Sequence, residues 1–401
     1  MRNILLLTPL TGNGGIASWS HKFIKTFGKG KYTIIPVDRA VKGRDFDDNS
    51  VWSRFSAGIK ELIVIWRKVK SIIIQHHIDI LHTTTSGSFG TFRDFIISKL
   101  CKSSDIQCVM HCRYGCITED VHRGLYGWFL RKTMRQFNQI WVLDSRSLNS
   151  LKQIKGLTDK VYLTPNSIEV KEGLDIRPKD YRHIAFIGNL IPTKGLYELV
   201  EAVCRLNNKK VKLSIVGSGD DEVINHIKEI AKDRIDKSIF ILGRLPNAKA
   251  VEFMKTVDIV ALPTYYPWEA FPISILEAMS LGKLVISTPR AAIKDMLTAQ
   301  DGSECGILVR EHSVDDIVKA IEWCYDNPLK ADELCKKAYD KVYNAYRMEM
   351  VYDLYDSLYQ KMLTKKVNLV SIDVSSFLIL VSKELIVLAL IKCYGLIHLI
   401  Q

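Results

Sequence analysis

Twelve apolar runs of strand length, each followed by a longer stretch of helical character, constrain this chain more than any other feature. The first six are "NILLLT", "YTIIPV", "IDILHTT", "QCVMH", "QIWVLD" and "VYLTP"; the second six are "HIAFIG", "KLSIVG", "SIFILG", "DIVALP", "LVIST" and "GILV". Strands that alternate with helices predict parallel sheets with helices on both faces. The polar stretch "NSIEVKEGLDIRPKDYR" separates the two sets, and 401 residues suit two domains better than one core. The expected architecture is α/β: a first doubly wound, Rossmann-like domain over 1–168, a second over 169–346, and a cleft between them. Ligands of such sheets sit at the carboxyl ends of the strands. The segment "MEMVYDLYDSLYQKML" predicts an amphipathic helix over 347–364 that packs back on the first domain.

An apolar tail, 367–401, follows. Its core, Phe377 to Ile400, is interrupted by Lys383, Glu384 and Lys392, so its longest uncharged piece falls short of the ~20 residues a bilayer span needs. It reads as an interfacial or partner-binding helix, or as a helix packed on its own domain.

With 47% apolar and 25% charged residues and no low-complexity tract, the composition is that of a folded enzyme rather than a disordered or repeat protein. The net charge of +12 is unevenly placed: residues 1–180 hold 28 Lys and Arg against 16 Asp and Glu, and the remainder hold 28 of each. A basic first half attracts nucleic acid, anionic lipid or a phosphorylated substrate, and charge alone does not choose. Nine cysteines without a disulfide-like spacing, and an opening apolar run too short for a secretory signal, predict a reduced, cytoplasmic setting. Cys108, His111, Cys112 and Cys116 lie close together, but a strand alternates its side chains and no second ligand pair follows, so no metal site is expected.

Two regions carry chemistry. The loop "TGNGGIASWS" leaves the first strand with Gly12, Gly14 and Ala17 in a G-x-G-x-x-A pattern, and Asp38 closes the next apolar run where a ribose ligand would stand. Taken alone, this reads as a nicotinamide-dependent oxidoreductase. The second half holds four signals in order: "FIGNLIPTKG" with Asn189 and Lys194, "IVGSGDDE" with Gly217, Ser218 and Gly219, "ILGRLP" with Arg244, and "EAFPISILEAMSLGKLVIS" with Glu269 and Glu277 eight positions apart. In the last, Pro272 suits the first turn of a helix that begins near Phe271 or Pro272. Glu269 then lies just before the helix and Glu277 in its second turn. Free N–H groups and the positive end of the helix dipole favour an anion such as a diphosphate, while a neighbouring carboxylate accepts hydrogen bonds from hydroxyls.

In these residues the chain resembles the family-4 retaining glycosyltransferases of GT-B fold, from the first strand to about residue 364. The resemblance implies that Glu269 contacts the donor sugar, that Phe271, Pro272 and Ile273 offer backbone amides, and that Glu277 binds the ribose. It also implies that Lys194 neutralises the leaving diphosphate, that Gly14 and Gly15 close over the reaction centre, and that His111 lies near the reacting carbon. Many members carry Arg where this chain has Asn189; the departure leaves the diphosphate to Lys194, assisted by Arg244. The implied reaction moves a sugar from a nucleotide-sugar donor, itself a substrate, with no cofactor and no metal. The only D-x-D, Asp45 to Asp47, follows a polar stretch and reads as a loop.

The acceptor is expected to be a lipid-linked or oligosaccharide glycan of cell-surface polysaccharide synthesis, with no nucleic acid as partner. A stripe of Trp52, Phe55, Ile59, Leu62, Trp66, Val69 and Ile73, the basic first half and the apolar tail together suggest docking on the anionic inner face of the cell membrane. Two rivals stand beside this reading: the oxidoreductase, and a non-catalytic nucleotide-sugar binder favoured by Asn189.

Overall fold

The structure is a computed structural model that describes residues 1–12, 14–39, 51–87, 90–170, 173, 179–206 and 210–364; the side chains of 51–57 fall outside the description. All twelve apolar runs form strands. The first six are β1 (Arg2–Thr8), β2 (Tyr32–Asp38), β3 (Ile80–Thr85), β4 (Gln107–Cys112), β5 (Gln139–Val142) and β6 (Val161–Leu163); the second six are β7 (His183–Ile187), β8 (Lys212–Val216), β9 (Ile239–Gly243), β10 (Ile259–Leu262), β11 (Leu284–Ser287) and β12 (Ile307–Leu308). They build two six-stranded sheets, ordered β2-β1-β3-β4-β5-β6 and β12-β11-β10-β7-β8-β9. Every paired strand runs parallel to its neighbour.

The chain divides into two compact units. One comprises 1–142, 147–164 and the segment from Leu354; the other comprises 143–146 and 165–353. The division falls at 164/165, four residues before the expected boundary, and it cuts the Met348–Leu363 helix so that its later turns belong to the first unit.

Within each unit the pattern of burial explains the sequence. The central strands β3, β4, β5, β10 and β11 are buried at every residue, because helices cover both faces of a parallel sheet and leave no polar side. The edge strand β2 keeps exposed and partly exposed residues between the buried Tyr32 and Val37 and carries Pro36, whose missing N–H is tolerated there. In the first unit, Leu5, Leu7, Leu81, Cys108, Met110 and Ile140 form one core with residues of the covering helices. The Val51–Gln75 helix sends Leu62, Ile65 and Val69 inward, with Trp66 and Ile73 partly buried against that core. This part of the expected docking stripe is therefore core. The side chains of Trp52 and Phe55 fall outside the description, and the Asp45 to Asp47 segment and the 367–401 tail lie outside the described residues.

The strand orders reverse once in each sheet, between β1 and β3 in the first and between β7 and β10 in the second. At such a reversal the connections leave toward opposite faces and open a crevice at the carboxyl ends. In the second unit the loops at that edge are tied together by backbone hydrogen bonds: Leu190 donates to Ser218 (2.9 Å), Gly217 to Gly243 (2.9 Å) and Tyr265 to Thr193 (2.8 Å).

These ties need glycine. A Cβ at Gly217 would stand 1.8 Å from the Gly188 carbonyl oxygen, and one at Gly195, whose φ is +72°, would stand 2.1 Å from that of Pro263. Gly15, the first residue of the Gly15–Thr26 helix, has open space where its Cβ would go. Gly195→Ala should thus lower unfolding stability by about 2–4 kcal/mol, whereas Gly15→Ala should change it by less than about 0.5 kcal/mol. Urea unfolding followed by circular dichroism measures both, and equal effects would contradict this account.

Candidate functional site

Lys194 and Glu269 come from the two strands that flank the reversal in the second unit. Lys194 ends the single-turn helix Pro192–Lys194 after β7, and Glu269 lies in the loop after β10. Their charged groups meet, with Nζ 3.4 Å from Oε2, although 75 residues separate them. Both side chains are largely buried, at 16% and 10% exposure, so little water screens the pair. The ammonium lies over Gly188, 3.8 Å from where a Cβ would be, and 5.9 Å from the centre of the Tyr266 ring. Glu269 Oε2 is buried and accepts no hydrogen bond among the described groups. A carboxylate oxygen so placed has capacity to accept from a hydroxyl.

The helix after Glu269 runs Ile273–Ser280. It begins one residue later than expected. Pro272 is the N-cap, with an extended ψ of 119°, and not a first-turn residue. Its carbonyl already accepts from Leu276 (3.4 Å), while its own missing N–H costs nothing at a position outside the ladder. The N-cap Pro272 makes no side-chain cap hydrogen bond and no acidic residue stands in the first turn, so the first N–H groups and the positive end of the dipole receive no anion from either. The Phe271 carbonyl accepts from Asn166 Nδ2 (3.1 Å), and the Phe271 ring packs edge-on to Tyr346 at 5.4 Å. These two contacts fix the loop that carries Glu269.

Glu277 is buried on that helix, and its Oε1 accepts from Asn247 Nδ2 at 2.9 Å. Asn247 and Asn166 belong to no motif, and nothing local in the sequence marks them. Ile273 is partly exposed, while Asn189, Ser218, Gly219 and Arg244 are exposed at the same edge, in the loops after β7, β8 and β9. Gly217 and Gly219 have a reason internal to the fold: a Cβ at Gly219 would stand 2.5 Å from the Leu190 carbonyl oxygen.

In the first unit, Gly14 is the N-cap of the Gly15–Thr26 helix, and neither Gly14 nor Gly15 would clash on gaining a Cβ. Their backbone is open rather than packed, in contrast to Gly217. Asp38 serves the loop itself: Oδ1 accepts from the Leu10 amide (2.9 Å) and Oδ2 from the Thr11 hydroxyl (3.5 Å). That use of the carboxylate engages one of the features, beside Gly12, Gly14 and Ala17, on which the nicotinamide reading rested.

His111 is the fifth residue of β4 and is fully buried. It lies 5.2 Å from the Trp19 ring and 5.6 Å from the Trp141 ring, with Nδ1 3.2 Å from His82 Nε2 and Nε2 3.2 Å from Arg113 Nη1. Burial, then the Arg113 charge, then His82 hold its basicity well below that of a free imidazole. His82 and Arg113 escaped the motif reading; the signal for His82 is a titratable side chain inside the strand ILHTTT, which has no other. Cys108 and Cys112 are buried thiols, and among the described residues no group of three or more His, Cys, Asp or Glu is placed to hold a metal.

The Lys194 and Glu269 pair yields a stability prediction. Removing Lys194 leaves a buried carboxylate without its cation, so Lys194→Ala should cost about 3 kcal/mol. A double-mutant cycle with Glu269→Ala should return a coupling of about 1–3 kcal/mol. Additive single effects in urea unfolding would show that the two groups do not interact.

Comparison with known proteins agrees with this geometry. Residues 171–342, nearly the whole second unit, match the glycosyl transferases group 1 family. A phosphatidylinositol N-acetylglucosaminyltransferase subunit of Arabidopsis thaliana is 30% identical over 48% of this chain and 44% of its own length. A UDP-Gal:alpha-D-GlcNAc-diphosphoundecaprenol alpha-1,3-galactosyltransferase of Escherichia coli is 23% identical over 80% of this chain and 87% of its own. The chain spans less than two thirds of the length of the first curated relatives it matches, 44%, 34% and 40%. Among solved structures, sucrose-phosphate synthase from Thermosynechococcus elongatus superposes with a TM-score of 0.72 at 14% identity, covering 91% of this chain and 100% of that one. An Anabaena protein solved with UDP-glucose superposes with a TM-score of 0.63 at 14% identity, covering 90% and 100%. With two parallel six-stranded sheets and these structural neighbours the chain has the GT-B fold, and its second unit matches the glycosyl transferases group 1 family over residues 171–342.

Proposed function

We propose that this protein is a retaining glycosyltransferase that moves a sugar from a nucleotide-sugar donor to a lipid-linked or oligosaccharide acceptor in cell-surface polysaccharide synthesis. The observation that carries the reading is the Lys194 and Glu269 pair at the sheet reversal, beside a helix start whose N-cap makes no side-chain cap hydrogen bond. Departure of a nucleoside diphosphate builds negative charge on phosphate and positive character on the sugar. Fixed N–H dipoles and an ammonium in a poorly hydrated site stabilise the first, and a carboxylate that accepts from sugar hydroxyls positions the second. In this reading Lys194 takes the diphosphate with Arg244 and Asn189 at its edge, and the Gly217, Ser218 and Gly219 loop faces the nucleotide. Phe271, Pro272 and Ile273 offer backbone to sugar and phosphate, Glu269 takes the sugar, and Glu277, held by Asn247, takes the ribose. Gly14, Gly15 and His111 are assigned the reacting face of the sugar. The leaving group is stabilised by these groups without a metal.

The Escherichia coli relative's name includes a diphosphoundecaprenol-linked sugar, and the Anabaena structure holds UDP-glucose. Both support a nucleotide-sugar donor, and the Escherichia coli relative supports a lipid-linked acceptor. The basic first half, 28 cations against 16 anions, suits an acceptor with a diphosphate and the anionic inner face of a membrane. No described helix is long and apolar enough to cross a membrane.

Release of free nucleoside diphosphate from a panel of UDP-, GDP-, ADP- and dTDP-sugars, with membrane extract as acceptor source, tests the reaction. Release from one donor should fall about 100-fold or more in both Glu269→Ala and Lys194→Ala. No release from any donor by folded wild-type protein would overturn the reading in favour of a non-catalytic binder. The anomeric configuration of the first-formed product, read by NMR, tests retention, and an inverted product would refute it. Membrane docking is tested by fractionating cells that express the full chain or a chain ending at Lys366. The full chain should sediment with membranes and the shorter one less; if neither sediments, docking is wrong.

A further inference from the structure

A chain of hydrogen bonds crosses the buried face of the first sheet and ends on a fixed cation. Tyr359 Oη lies 2.5 Å from His82 Nδ1, His82 Nε2 lies 3.2 Å from His111 Nδ1, and His111 Nε2 lies 3.2 Å from Arg113 Nη1. The placement follows from register. His111 on β4 pairs with Thr84 on β3, so His82, two residues earlier, is its diagonal neighbour on the same face, and Trp141 on β5 stands opposite His111 on the other side. Trp19 from the Gly15–Thr26 helix, and Tyr355 and Tyr359 from the Met348–Leu363 helix, cover these rings. The Arg113 guanidinium stacks on Trp19, 4.3 Å from its centre.

A guanidinium only donates, and a neutral imidazole has one donor and one acceptor nitrogen. His111 Nε2 must therefore accept from Arg113, which puts the ring proton on Nδ1 and directs it to His82 Nε2. His82 in turn carries its proton on Nδ1 and donates to Tyr359. The reverse order would set an N–H of His111 against the guanidinium N–H. We infer that Arg113 fixes the proton order of this chain, so that Arg113 and His82 are positioning residues that hold His111 as the neutral Nδ1–H tautomer. A doubly protonated ring is opposed by burial and by the Arg113 charge, which hold His111 well below the usual histidine range and His82 down to about 3. The ionisable groups facing the pair are Arg113 after β4 and Tyr355 and Tyr359 on the covering helix; Arg113, lowered by burial to about 10, stays charged at neutral pH.

The consequence deepens the proposed reaction and rests on it. His111 takes no proton during transfer: its lone pair is held by a cation and its N–H by a buried acceptor. It presents a neutral ring of fixed orientation at the end of β4, where doubly wound sheets bind ligands.

Long-range proton–nitrogen correlation spectra of the full chain, labelled with ring-15N histidine, read the tautomers directly. His82→Gln and His111→Gln assign the two signals. Both rings should be neutral and Nδ1-protonated from about pH 5 to 8, a range in which an ordinary histidine titrates. Tyr359→Phe should leave His111 in the same tautomer, because the order is set from the arginine end. Arg113→Met should lose that tautomer or mix it with the Nε2–H form. An Nε2-protonated or charged His111 in the wild type, or a changed tautomer in Tyr359→Phe, would overturn the inference, as would an unchanged one in folded Arg113→Met. Should Arg113→Met not fold, the wild type and Tyr359→Phe decide alone. The spectra need no donor, so absence of nucleoside diphosphate release would refute the proposed reaction and leave the proton order standing.

Discussion

A parallel sheet covered by helices on both faces leaves only its strand ends open to solvent, and this constraint organises the molecule. The strands β3, β4, β10 and β11 are buried throughout, so polar side chains within them must be partnered. The polar groups free to meet a ligand gather in the loops at the carboxyl edge. One reversal of strand order then selects two of those loops in each unit. In the second unit these are the loops after β7 and β10, and they deliver the ammonium and the carboxylate that pair.

Close backbone approach makes that edge rigid. Gly195 and Gly217 lack side chains because carbonyl oxygens of neighbouring loops occupy the space. Gly14 and Gly15 show the opposite case: the fold does not need them small, and their backbone remains open. A glycine-rich loop can thus mean two different things, and only the neighbouring atoms tell which. The same holds for carboxylates. Asp38 accepts from the loop after β1, whereas Glu269 keeps a buried oxygen that accepts no hydrogen bond from the described groups.

Burial governs the charged and titratable groups in both units. In the second, a nearly dry ion pair stands by a helix start whose N-cap makes no side-chain cap hydrogen bond, an arrangement that gains strength from the exclusion of water. In the first, a buried guanidinium stacked on Trp19 faces two histidines that burial keeps neutral. Each arrangement is held by contacts among protein groups, the form of preorganisation that group transfer requires.

The sequence by itself determined the twelve strands, their grouping in two sets, and the loops at their carboxyl ends. Period and run length report burial residue by residue, and glycine and proline report turns locally. It also marked Lys194, Glu269 and Glu277, since those positions stand at fixed distances from strand ends. Only the tertiary structure decided that Lys194 meets Glu269 across 75 residues, that Asn247 holds Glu277 and that Asn166 holds the loop before the helix. It alone placed His82 and Arg113 around His111 and assigned Asp38 to the loop after β1. The physical reason is register and crossover. Which residues of two strands become neighbours depends on how the sheet assembles, and no spacing within a single element carries that information.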